Sequence, residues 1–405
     1  MCAIVALAIS NSRWADSFEN IWQLRASLAI GAIEFDRSIR EWINDALMTL
    51  FFFLVSLELK RELVLGELKS ARIAAFSIAA AVGGMLVPAG VYLALQVGRA
   101  GAGGWGTVMA TDTAFALGCL ALLGERIPQS LRVFMLSMAV IDDLGAVIVV
   151  AVGYGHELSL GAVALAALGV AGIRVMALMG VRSIPIYFLI GAAVWLTVDA
   201  SGIHATITGV VLGLMTPARR WVSDERLYAI LDRVIAHPTD DNGGSGDTKD
   251  RRTLRLAETA ARETLSPVER LQMTFHPWVG FFVMPIFALA NAGVSLSLSD
   301  IAGPVSVAVF LGFALGKPVG VLTFTWVAVR LGIATRPDDL SWGLVAGAAL
   351  LAGIGFTMAL FIANLAFSEE LIGSAKLGIF LGSGFSALAG LTVLACLSRG
   401  KTYRT

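Results

Sequence analysis

The sequence predicts an all-α, polytopic membrane protein, and three observations carry that prediction. Hydrophobic residues make up 57% of the 405 residues and charged residues only 15%, against roughly 25% charged in soluble domains. The mean hydropathy is +0.78. The apolar residues run in stretches close to the roughly 20 residues that a helix needs to cross a bilayer. A soluble enzyme, a nucleic-acid binder or a disordered scaffold of this length needs more polar surface than this. The net charge of zero gives no field to steer nucleic acid. Cys2, Cys119 and Cys396 show neither disulfide nor metal spacing.

Along the chain, the opening apolar piece from Ala3 to Ile9 is too short to span and lacks the basic start of a signal peptide. It reads as the end of a first helix, so a truncated first span is expected. Spans then follow near 42–59, 73–97, 104–123, 131–154, 160–179, 184–199, 203–216, 277–295, 303–329, 342–367 and 375–398. The pieces at 184–199 and 203–216 are short, which a bilayer tolerates only where protein covers the backbone ends. Residues 217–276 differ sharply, with ten basic and ten acidic residues among 60. Their centre, Asp240 to Asp247, has the composition of a solvated tether, and its flanks near 223–236 and 251–264 have helical composition. If the sides alternate from the first piece, 23 of the 30 basic residues fall on one side and 6 on the other, with Lys317 inside a span. The excess predicts that the 217–276 loop and the C-terminus are cytoplasmic.

An ionisable group at the bilayer centre costs roughly 2.5–3.5 kcal/mol, so it persists only when paired or used. Asp142 and Asp143 sit in mid-span in Ile141-Asp142-Asp143-Leu144-Gly145. On a helix they point about 100° apart and can border one site. Hard cations take oxygen ligands, and two close carboxylates repel in a low dielectric. Such a site holds protons or a cation, but not easily both. Thr111-Asp112-Thr113 follows a glycine-rich run and competes with helical hydrogen bonding, which predicts two half-helices with a break there. Gly353-Ile354-Gly355-Phe356-Thr357 predicts a second break. Interrupted spans in the two halves of a chain point to a transporter site. Half-helix ends carry partial charges that a buried carboxylate and a buried amine can offset, and Asp112 and Lys317 suit those roles. Lys317 also suits a counter-charge to Asp142 or Asp143, or a proton carrier. Glu58 and Glu62 share a helix face and form either a cation funnel and pH-responsive cluster or an interfacial salt-bridge net. His156, His204 and His276 lie near helix ends, where a lone histidine is usually structural.

Together these strings resemble the NhaA-type bacterial sodium/proton antiporter family. The resemblance rests on Leu57-Glu58-Leu59-Lys60-Arg61-Glu62, Ala110 to Gly118, Ile141 to Ala146, His276-Pro277-Trp278-Val279, Ala288 to Val294, Leu315-Gly316-Lys317-Pro318 and Gly353 to Met358, in family order. It implies one transporter domain over 1–405, with about twelve transmembrane helices, inverted repeats and two broken helices that cross near the ion site. It further implies an electrogenic exchanger, not an enzyme. Cytoplasmic Na+ and Li+ leave against entering protons, for pH and sodium homeostasis in the bacterial inner membrane, with no cofactor. Asp142 and Asp143 become the Na+ and proton carboxylates, with Thr111 and Asp112 at the crossing as further ion-binding residues and Lys317 as the buried cation that offsets dipoles and pairs with Asp142. Glu58, Glu62 and His276 fall in the family's pH-response region, although Gln272 and Met273 stand where relatives often carry an acid–His cluster. Residues 24–35 fall where the family has a dimerisation hairpin, which implies a homodimer. The 217–276 loop exceeds the family norm. Rival readings are a proton-coupled symporter of an organic solute, a passive cation channel and an intramembrane aspartyl protease. The protease signature occurs only as Gly244-Ser245-Gly246-Asp247, in the hydrophilic loop.

Overall fold

The computed structural model describes residues 2–30, 33–64, 71–154, 159–179, 184–218, 265–294 and 298–398. Short helices α1 (Cys2–Ser10) and α2 (Ala15–Gln23) lead into a hairpin of β1 (Arg25–Ile30) and β2 (Ile33–Ser38). The strands pair antiparallel from Arg25 with Ser38 to Ile30 with Ile33, which places a hairpin where the resemblance implied one. Ser38 and Glu41 then form a reciprocal cap that starts the first long span.

Among the described residues, seven helices are long and apolar enough to cross a bilayer. They are α3 (Ile39–Val64), α4 (Arg72–Gln96), α7 (Gln129–Gly153), α8 (Leu160–Leu178), α11 (Pro267–Asn291), α12 (Pro304–Arg330) and α15 (Glu369–Leu397). Between α4 and α7 lies a bent pair, the tight 3-10 half-helix α5 (Ala100–Val108) and α6 (Thr113–Leu122), which meet at 47°. A second bent pair, α13 (Trp342–Ala352) and α14 (Phe356–Ala366), meets at 45°. Among the described residues there are also two shorter apolar helices, α9 (Pro185–Asp199) and α10 (Thr206–Met215). Every predicted stretch thus has its helix, and the chain is a multi-pass, helical membrane protein.

One boundary moves. The span placed at 277–295 begins at Pro267, so the last ten residues of the 217–276 segment are helical and His276 lies inside a helix instead of starting one. Ser266 and Glu269 cap this helix reciprocally, with proline at its first position. Its amphipathic first turns carry too many polar residues to register as a span. The rest of the charged segment, 219–264, lies outside the described residues, as does His156.

Glycine permits the closest helix contacts. A Cβ on Gly83 of α4 would sit 2.2 Å from the carbonyl oxygen of Gly320 in α12, and a Cβ on Gly320 would sit 2.1 Å from that of Gly83. Backbones this close are the usual device of helix packing in lipid, where small residues replace the hydrophobic effect. The contact carries Lys317 of α12 into the centre of the bundle, where it is 0% exposed. Directly before it, Gly312–Gly316 forms a widened π-helical turn. The Pro318 ring would collide with the carbonyl four residues earlier in a regular helix, and a widened turn relieves that collision.

Candidate functional site

The two bent pairs cross, with α5 packed on α14 and α6 on α13. At the first break the backbone leaves helical geometry over Met109 to Asp112, and Asp112 N-caps α6. At the second, α13 ends at Ala352 and α14 starts at Phe356. The breaks touch directly, since Asp112 N–H donates to the carbonyl of Ile354 at 2.6 Å. A Cβ on Gly355 would lie 2.4 Å from the Phe313 ring and 3.1 Å from the carbonyl oxygen of Ala110. Only glycine fits that approach without moving its neighbours.

Asp112 holds both N-terminal ends. Its Oδ1 accepts from Phe115 N–H of α6 at 3.1 Å, and its Oδ2 accepts from Thr357 N–H of α14 at 3.0 Å and from the Thr357 hydroxyl. Two helix N-termini present partial positive charge, and one buried carboxylate answers both. Asp112, expected among the ion ligands, therefore has both oxygens engaged in capping.

The opposite charge arrives from α12. Lys317 Nζ pairs with Asp142 Oδ2 at 2.9 Å and donates to the hydroxyl of Thr111. That hydroxyl lies 2.6 Å from Asp142 Oδ2 and 3.0 Å from the carbonyl oxygen of Ala352, at the C-terminal end of α13. With one proton, it accepts from Lys317 and donates to one of these two at a time. Thr111 thus couples the amine, the carboxylate and a helix end of partial negative charge. Asp143 faces another way, its Oδ2 accepting from the Thr113 hydroxyl at 3.0 Å.

Two atoms stand out. Asp142 Oδ1 and Asp143 Oδ1 are buried and have no hydrogen-bond partner among the described residues. Removal of one buried polar partner ordinarily costs about 1–3 kcal/mol, and more for a charge. On two adjacent carboxylates, a bound cation or proton would relieve that cost. Their chemistry suits a small hard cation or protons.

Glu58 is half-buried on α3. Gln272 Nε2 donates to Glu58 Oε1, and Arg61 donates to Gln272 Oε1, each at 3.5 Å, the outer limit of a hydrogen bond. Gln272 of α11 thus bridges the residues that the sequence placed in one cluster. Among the described residues, no ion pair joins Glu58 or Glu62 to Lys60 or Arg61. His276 is exposed, and among the described residues its side chain makes no hydrogen bond or ion pair with Glu58.

Sequence reasoning set Asp112, Asp142, Asp143, Lys317 and Thr111 together, and the structure unites all five. It missed Ser383 of α15, whose hydroxyl accepts from Gly355 N–H at 3.3 Å and Phe356 N–H at 3.2 Å. It named Thr113 and Thr357 only as parts of the breaks. A Thr directly after an N-capping Asp, in a chain with two mid-span carboxylates, is the signal that marks Thr113.

Residues 1–394 match the family model described as Na+/H+ antiporter 1. The chain is 59% identical over 394 residues to Na(+)/H(+) antiporter NhaA 1 of Acidiphilium cryptum, covering 97% of this chain and 88% of the relative. It is 54% identical over 398 residues to Na(+)/H(+) antiporter NhaA of Rhizobium meliloti, covering 98% and 91%. Among solved structures, the sodium proton antiporter MjNhaP1 of Methanocaldococcus jannaschii shares the fold, with a TM-score of 0.56, 11% identity and coverage of 98% of this chain and 91% of that one. With a match over nearly the whole chain, this chain belongs to the Na+/H+ antiporter 1 family.

Proposed function

We propose that the chain is an electrogenic Na+/H+ antiporter, also accepting Li+, that expels cytoplasmic sodium against entering protons for pH and sodium homeostasis. The observation that carries this reading is the pair of unpartnered oxygens, Asp142 Oδ1 and Asp143 Oδ1, beside the buried amine of Lys317. Thr111 belongs to the ion site through its bond to Asp142, and Asp112 through the crossing that it holds. The relatives' printed names support the same reading.

With both carboxylates ionised and Lys317 charged, the three groups sum to one negative charge. One Na+ neutralises it, drawing Asp142 away from Lys317 toward the ion. After a switch to the outward-facing state, protons displace Na+. Asp142 and Asp143, or one of them with Lys317, carry more than one proton per Na+, so each cycle moves net charge. One charge moved across the membrane is worth about 2.3 kcal/mol per 100 mV, enough to drive Na+ uphill.

The reading places the protein in the bacterial inner membrane with the 217–276 segment and the C-terminus cytoplasmic, on the strength of the basic-residue count. It makes Glu58, Glu62 and His276 the cytoplasmic funnel and pH-responsive region, and the β1–β2 hairpin the contact of a homodimer. The test uses everted membrane vesicles holding a respiration-driven pH gradient. Added Na+ collapses the gradient with the wild-type chain and leaves it intact with Asp143→Asn. Equal collapse by the two overturns the assignment. Collapse that requires an added organic solute supports the symporter instead.

A further inference from the structure

We infer that Thr113 is a positioning residue of the ion site, holding Asp143 in the orientation in which it receives Na+. The inference rests on the antiporter reading above and adds to it a residue and a selectable step. The two carboxylates are anchored unequally. Asp142 Oδ2 is bound by Thr111 and by Lys317. Asp143 takes one side-chain hydrogen bond among the described residues, from Thr113 at 3.0 Å. That bond occupies Oδ2 and leaves Oδ1 bare. A carboxylate turns readily about its terminal bond, so a single donor on one oxygen decides where the other points.

Thr113 is well built for this. It is the first residue of α6, directly after Asp112, and its backbone is fixed by the two caps that Asp112 makes. Its β-branch restricts χ1, so the hydroxyl is presented in few orientations. The crossing of the bent pairs is thereby transmitted to Asp143 through one stiff side chain. When Na+ arrives at Oδ1, the carboxylate is already oriented, and less ordering has to accompany binding.

The test separates positioning from mere packing. Vesicle antiport is measured against Na+ concentration for the wild type and for Thr113→Val, Thr113→Ala and Thr113→Ser. Valine keeps the shape and removes the hydroxyl, and serine keeps the hydroxyl without the methyl. Loss of one hydrogen bond to a charged group predicts a rise in apparent KM for Na+ of about tenfold in the valine and alanine variants. The maximal rate stays within about twofold, and serine restores KM to within about threefold of wild type, since its hydroxyl reforms the bond. If valine does not insert in the membrane, alanine carries the comparison. An unchanged KM in both, or a serine variant as impaired as valine, overturns the inference while wild-type exchange stands. A wild-type chain that fails to exchange Na+ for protons overturns the antiporter reading and this inference together.

Discussion

At the first break, Thr111, Asp112 and Thr113 each set a polar side chain against another helix. At the second, Gly353, Ile354 and Gly355 offer only backbone. Thr111 meets Asp142 and Ala352, Asp112 meets Thr357, and Thr113 meets Asp143. The second break answers with the carbonyls of Ala352 and Ile354 and with two glycines that admit no Cβ. Both spans bend by nearly the same angle, yet chemistry is concentrated in one and clearance in the other. The difference has a physical origin. Side chains crowded into both breaks would hold the two helix ends too far apart for Asp112 to cap both. A break that is to be approached closely must give up its side chains where the approach is closest, here at Gly353 and Gly355.

The largest effect is expected where side-chain chemistry meets buried charge. Lys317→Ala leaves Asp142 buried beside Thr111 with no counter-charge. Breaking a buried ion pair from one side costs about 3–5 kcal/mol. Thermal unfolding in detergent micelles, compared with wild type, measures it. A loss under about 1 kcal/mol, the range of an exposed pair, breaks the view that the first break is organised around that charge.

A smaller loss is expected at the second break. Gly355→Ala drives a methyl into the Phe313 ring and toward Ala110 O, an overpacking that costs about 1–3 kcal/mol. Gly90 of α4 supplies the contrast, because a Cβ there meets nothing within 4 Å. Gly90→Ala is expected to gain up to about 1 kcal/mol, since alanine is the better helix former. Opposite signs for the same chemical change in the same unfolding assay sharpen the comparison. Equal effects would remove clearance as the function of the second break.

Which of these residues the sequence disclosed follows from how each signals. Asp112, Asp142, Asp143 and Lys317 are legible because charge inside an apolar span has no bland explanation. The breaks are legible because Thr-Asp-Thr and Gly-Ile-Gly disfavour helix locally. Partners are not legible from spacing. Spacing alone does not say that Lys317 bonds Asp142, 175 residues away, instead of Asp143; only the family resemblance pointed to Asp142. Gln272 read as the loss of an acidic neighbour, whereas it bridges Glu58 and Arg61. The start of α11 was hidden for another reason. Its capping pair, Ser266 and Glu269, is a readable signature, but polar first turns mask a span when apolar length is the only ruler.

Ser383 tests the comparison at its finest. It sits on α15, outside both breaks, among Gly382, Gly384 and Ser386, where a serine in a run of small residues reads as packing. Its hydroxyl nevertheless accepts from two N–H groups that begin α14, beside the bond that Asp112 makes to Thr357. The second break therefore borrows from α15 the side chain it lacks. Ser383→Ala removes the oxygen and little volume, so the expected loss is that of a helix cap, about 1 kcal/mol in the unfolding assay. Asp112 still holds Thr357, so the crossing and its exchange activity persist at reduced stability. A loss larger than that of Gly355→Ala would mean that side-chain bonds, not clearance, govern the second break as they govern the first.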